Sequence, residues 1–176
     1  MPRFELQFPA SEIDALAARF GYPDDIRLIA VGVAVRARGH YTQGEFIEVC
    51  AWKTPRSRPR VAANSRHAVM SRTARALAAG DESDRIMPLL ELKGVGVPTA
   101  STLLYVAFPD DYPILDVRAL ESLGVKSRST YPVGFWLQYL DACRGLARAH
   151  GVSIRTLDKA LWQYSKERPT TSAAGR

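Results

Sequence analysis

The chain has 176 residues, 47% of them hydrophobic and 24% charged, with a formal net charge of +6. That length can bury a core in one domain, no apolar run approaches a membrane span, and the opening MPRFELQFPASEID lacks the apolar stretch of a signal peptide. Two cysteines and three isolated histidines exclude a disulfide framework and give no metal-ligand spacing, so Cys50 and Cys143 read as small buried apolar residues and no metal site is expected.

Helical periodicity dominates along the chain and few stretches look like strands, which predicts an all-α fold. Ser11 is placed to cap a helix with Ile13, Leu16, Ala17 and Phe20 on one face, broken at Gly21-Tyr-Pro. Residues 25–38 are apolar enough for a buried helix, and their Val and Ile content would equally suit a strand. Thr42 is placed to cap a helix over 43–52 with Phe46, Val49 and Cys50 inward, and TPRSRPR (54–60) reads as a basic loop punctuated by proline. A further helix starts at Asn64 or Ser65 and runs to Ala79, with Gly80 as its stop. Residues 81–83 cap a segment leading to Leu92, in which Pro88 either kinks the helix or opens its last turn. Helices are expected over 97–108, with Pro98 in the first turn, and over 116–123, 133–149 and 153–164, with PDDYPI (109–114) as a loop. Residues 1–168 are expected to form one helical domain, and the tail PTTSAAGR (169–176) to be disordered.

The positive charge is concentrated. Between residues 49 and 80 there are seven Lys/Arg (Lys53, Arg56, Arg58, Arg60, Arg66, Arg72 and Arg75) and no Asp or Glu, so the rest of the chain sums to −1. Such a run is either a solvated basic face or a footprint for a polyanion, and its contiguity favours the polyanion.

Leu92-Lys-Gly-Val-Gly96 lies between two helical segments. A dinucleotide fingerprint fails there, because the sixth position is Thr99 and the preceding segment is helical; a P-loop fails for want of Gly-Lys-Ser/Thr. A tight hairpin between helices fits better. Gly94 and Gly96 would permit positive φ and close approach of another molecule, Val95 would plug into the core, and Lys93 would touch phosphate. The N–H groups opening the next helix would face an anion.

The stretch GVGVPTASTLLYVAFPDDYPILDVRAL resembles the helix-hairpin-helix (HhH-GPD) DNA glycosylase superfamily, which includes endonuclease III and the adenine-mismatch, 8-oxoguanine and 3-methyladenine glycosylases. The match spans roughly residues 89–123, and 18 positions separate Pro98 from Asp116. The resemblance implies two helical layers flanking a DNA cleft, with the N-terminal helices and the last helix packed on one side. It also implies base flipping and a catalytic aspartate at Asp116, delivered by Pro113-Ile-Leu-Asp116. That carboxylate would stabilise the positive charge that develops on the sugar as the base leaves, kept ionised by Arg118 or a helix N-terminus. Asp116 could also be the N-cap of the helix that follows, or serve as both.

Pro98 stands where bifunctional members carry a Schiff-base lysine, so the resemblance implies a monofunctional glycosylase that leaves an abasic site. Lys53 and Lys93 are amines that could substitute. Three departures set the chain apart from the well-known subfamilies: no iron–sulfur cysteines, Arg118 where a His is frequent, and Lys93 in place of the hairpin proline. Trp52 is a candidate for stacking on the flipped base, or equally a core residue. Lys53, Arg56, Arg58 and Arg60 are candidates for phosphate contact or a wedge. Tyr112 and Tyr131 could line the pocket, and Trp136 reads as core. No cofactor is required, although a structural monovalent cation at the hairpin fits the resemblance. Double-stranded DNA is the expected partner, the chain is expected to act as a monomer, and its expected location is the cytoplasm or nucleoid. The substrate would be a damaged base such as an alkylpurine, or a hypermodified base such as glucosylated hydroxymethylcytosine of phage DNA, the latter implying antiviral defence. The alternative is a non-catalytic helix-hairpin-helix module that recognises DNA structure.

Overall fold

The computed structural model describes residues 2–22 and 26–168; the tail expected to be disordered lies outside them. Among the described residues the regular structure is helical throughout. The α-helices are α1 (Ile13–Ala18), α2 (Ile26–Arg38), α3 (Gln43–Lys53), α4 (Arg58–Ala62), α5 (Arg66–Ala78), α6 (Glu82–Leu90), α7 (Val97–Ala107), α8 (Val117–Ser122), α9 (Val133–His150) and α10 (Ile154–Glu167). Among the described residues no helix is long and apolar enough to cross a membrane.

Local chemistry explains most of the boundaries. Thr42 and Glu45 form a reciprocal capping box at the start of α3, Ser65 caps α5, Asp81 caps α6 and Ser153 caps α10. Ser11 does not cap α1: it sits inside a 3-10 turn, Ala10–Glu12, that leads into the helix. The ambiguous apolar segment is the helix α2, which buries Leu28, Gly32 and Val35 and leaves Ile29 and Val33 exposed. TPRSRPR is not a loop. Pro55 opens a 3-10 turn (Pro55–Ser57) and Pro59 lies in the first turn of α4, where its fixed φ favours helix and its missing N–H costs nothing. Pro88 lies within α6.

The central element is α7, in which every residue except Pro98 is buried. α2, α3 and α6 pack around it, and α5 packs on α6. At Gly32, α2 lies so close to α7 that a Cβ would stand 2.1 Å from the Val106 carbonyl oxygen. On the other side, α1 and α8 pack against α10, and α9 touches both α6 and α10. The first helix therefore pairs with the last as expected, whereas α2 joins the α7 group. The N-terminal segment ties down the second group through Gln7, whose N–H donates to Ser122 O at 2.9 Å. Both cysteines are buried and unpaired, and burial pushes the Cys50 thiol up to about 12.

Candidate active site

Asp116 ends an extended stretch and caps α8, its Oδ1 accepting the Arg118 backbone N–H at 2.9 Å. The stretch before it is held from three helices. Tyr139 of α9 donates to the Ile114 carbonyl at 2.8 Å, and Asp158 of α10 accepts the Ile114 N–H at 3.0 Å. Ser101 of α7 accepts the Leu115 N–H at 2.9 Å and donates to the Pro98 carbonyl at 2.8 Å. Ser101 thereby brings the first turn of α7, which follows the hairpin, against the residue preceding Asp116.

The second carboxylate oxygen of Asp116 pairs with Lys53 Nζ, from the last residue of α3. The two side chains are 26% and 12% exposed, so the pair is partly withdrawn from water. Around it lies a recess with a cavity volume of about 50 Å³, lined by Phe20, Tyr22, Trp52, Asp158 and Trp162 among others. The rings meet edge to face: Tyr22 with Trp52 at 4.9 Å, Tyr22 with Trp162 at 5.3 Å and Phe20 with Trp162 at 5.2 Å between centroids. Burial, and then the Asp116 carboxylate, push the Tyr22 phenol above its usual range. Beneath the rings, Asp158 is buried and receives Arg155 Nη1 at 2.7 Å. Burial raises its carboxyl, opposed by Arg155 and the Ile114 N–H. Through Tyr22, Asp116 and Trp162 the recess opens onto a larger groove that Arg118, Lys126, Lys166 and Arg168 also line.

The hairpin stands on the other end of the basic segment. Gly94 adopts φ +79°, and a Cβ there would lie 2.9 Å from the Arg60 Cβ, so both conformation and space call for glycine. Gly96 differs from expectation: it is the N-cap of α7 with φ −102°, and a Cβ would meet nothing closer than Pro98 Cδ at 3.8 Å. Inside the protein, then, Gly96 is under no steric demand. Asn64 clamps the turn, accepting the Lys93 N–H at 2.9 Å and donating to the Lys93 carbonyl at 3.0 Å. Val95 is buried in the core, and the Lys93 side chain is exposed.

No family model, curated protein or solved structure matches the chain. The site is thus defined by its own geometry, which brings some candidates together and separates others. Asp116, Lys53 and Trp52 line one recess, and Arg118 lies at its rim with its guanidinium 5.5 Å over Trp162. Trp52 also packs against the core, as one of its two readings has it. Arg56, Arg58 and Arg60 are exposed, Arg60 lying against Gly94 of the hairpin, whereas Arg72 and Arg75 reach Glu91, which is distant in sequence.

Tyr112 and Tyr131 are not in the recess. Tyr112 is buried between α6 and α9, stacked on the core residue Trp136, with its hydroxyl donating to Glu82 at 2.7 Å. Tyr131 packs on Phe135 and accepts the Arg128 N–H at 3.0 Å. Each is near Asp116 only in sequence. Sequence alone gives no site role to Phe20, Tyr22, Arg155, Asp158 and Trp162. The one local signal was on α10, where Arg155, Asp158 and Trp162 share a face and put charge on an apolar stripe with Leu157 and Leu161. Among the described residues no group of three or more His, Cys, Asp or Glu could hold a metal. The hairpin carbonyls of Leu92 and Lys93 each accept one hydrogen bond, from Val95 N–H and Asn64 Nδ2, and each keeps a second lone pair that a monovalent cation could use.

Proposed function

We propose that the chain is a DNA glycosylase that receives a flipped-out nucleotide in the aromatic recess and breaks its N-glycosidic bond beside Asp116. The observation that carries this reading is the placement of the Asp116 carboxylate in an aromatic pocket, tied through Ser101 to the helix that the hairpin opens. The walls offer π surface to a base, and removing the base from water strengthens the interaction of Asp116 with positive charge at C1′. The product is an abasic site. The hairpin backbone, with Lys93, Gly94, Val95 and Gly96, would hold a phosphate, and Arg56, Arg58 and Arg60 extend that grip. A hairpin cation would be structural only.

Mass spectrometry of the base released from normal, alkylated and glucosylated-hydroxymethylcytosine duplexes tests the reading. A free base released by the wild type and not by Asp116→Asn is the expected result. DNA binding that survives with no base released from any of these duplexes would instead leave a non-catalytic recognition module.

A further inference from the structure

Pro98 offers no amine, which is why hydrolysis by water alone is expected from the hairpin sequence. The fold supplies an amine to the same carboxylate from a different helix. Lys53 is the last residue of α3, 63 positions from Asp116 in the chain, yet its Nζ meets Asp116 Oδ2 inside the recess. The side chain is 12% exposed, unlike Arg56, Arg58 and Arg60 just beyond it, which face solvent. An amine that served only to contact phosphate would sit with those arginines.

We propose that Lys53 is a nucleophile toward the abasic product: the protein is an abasic-site lyase as well as a glycosylase, with the amine delivered from α3. The proposal rests on the glycosylase reading of the recess. The Asp116 carboxylate is placed to take a proton from the Lys53 ammonium. The freed Nζ lone pair attacks C1′ of the ring-opened aldehyde, forming the C–N bond, and water leaves to give an imine. The protonated imine acidifies C2′–H. A base removes that proton, the electron pair forms the C2′–C3′ double bond, and the C3′–O bond breaks with the 3′ phosphate as leaving group. Water then hydrolyses the imine, restoring Lys53 and releasing an unsaturated aldehyde. No oxidant or reductant enters, and the water lost on imine formation is regained.

The test uses the full chain and a duplex with one abasic site, so it needs no knowledge of the excised base. Borohydride delivers hydride to the imine carbon and fixes the adduct as a secondary amine. A borohydride-dependent adduct, located by peptide mass spectrometry at Lys53, is expected. Lys53→Arg keeps a cation opposite Asp116 but cannot form an imine. Its adduct yield should fall at least about 100-fold with the fold intact by circular dichroism, whereas an amine that only balances charge would leave the adduct on another residue. No adduct, or one on another amine, overturns the proposal. Base release from modified duplexes is measured on the same preparations. Base release without an adduct removes the role of Lys53 and leaves the glycosylase; an adduct at Lys53 without base release removes the glycosylase and leaves the lyase.

Discussion

The recess and the hairpin edge are built on opposite principles. In the recess, charges are withdrawn from water and matched: Lys53 with Asp116 and Arg155 with Asp158. At the hairpin edge, Arg56, Arg58, Arg60 and Lys93 face solvent and make no ion pair among the described residues. Matched, part-buried charges cost desolvation and are held rigidly, as the proposed bond-breaking site would require. Unmatched, hydrated charges release counterions on meeting a polyanion, as a grip requires. The difference teaches that the basic run 53–75 is not one functional unit: its first member belongs to the recess, its middle to the edge, and Arg72 and Arg75 to Glu91.

Substitutions that treat the two regions alike would break that contrast. Asp158→Ala should have the largest effect on stability, about 3–5 kcal/mol in chemical denaturation, because it strands the Ile114 N–H and removes the anion facing Arg155. A loss below about 1 kcal/mol would mean that the recess is not rigidly built. Asp116→Asn should lower base release by roughly 10²–10³-fold in single-turnover assays without lowering DNA affinity. Loss of affinity in step with activity would assign Asp116 to the grip.

The two hairpin glycines separate fold from partner. Gly94→Ala meets both the positive φ and the Arg60 Cβ, so its melting temperature should drop, by a cost of about 1–2 kcal/mol. Gly96→Val puts its Cβ 3.8 Å from Pro98 Cδ, with nothing closer, and should stay within about 1 kcal/mol of wild type. In a filter-binding or anisotropy assay it should nevertheless lose affinity for any duplex, regardless of sequence. Unchanged affinity would remove the hairpin from the DNA contact. The smallest effect is expected for Arg58→Ala, which should reduce the slope of log affinity against log salt by about 1.

Much of this was legible locally. Thr42, Ser65, Asp81 and Ser153 announce their helices because a cap needs only a side-chain oxygen and a nearby N–H. The hairpin and the Asp116 cap were readable for the same reason. What sequence could not show are pairings made across the seam between the α7 group and the α1–α8–α10 group. Tyr22 follows α1 and Trp52 lies on α3, and nothing local marks either as the other's neighbour. Lys53 sits in a run of cations and reads like the rest of them. Its partner becomes visible only when α3 is docked beside the loop that α7 returns. Tyr112 and Tyr131 show the converse: nearness to Asp116 along the chain does not put either in the recess.

Between Lys53 and Asn64 the chain makes one 3-10 turn and one short helix, each with a proline in its opening turn, and Asn64 fastens the far end to the hairpin. The separation between the recess and the hairpin is therefore set in advance, like callipers locked at one opening. Such an instrument measures as well as holds. On the proposed reading, a duplex whose backbone spacing differs from that opening would fill one site but not both, so duplex geometry would be checked before any base is read.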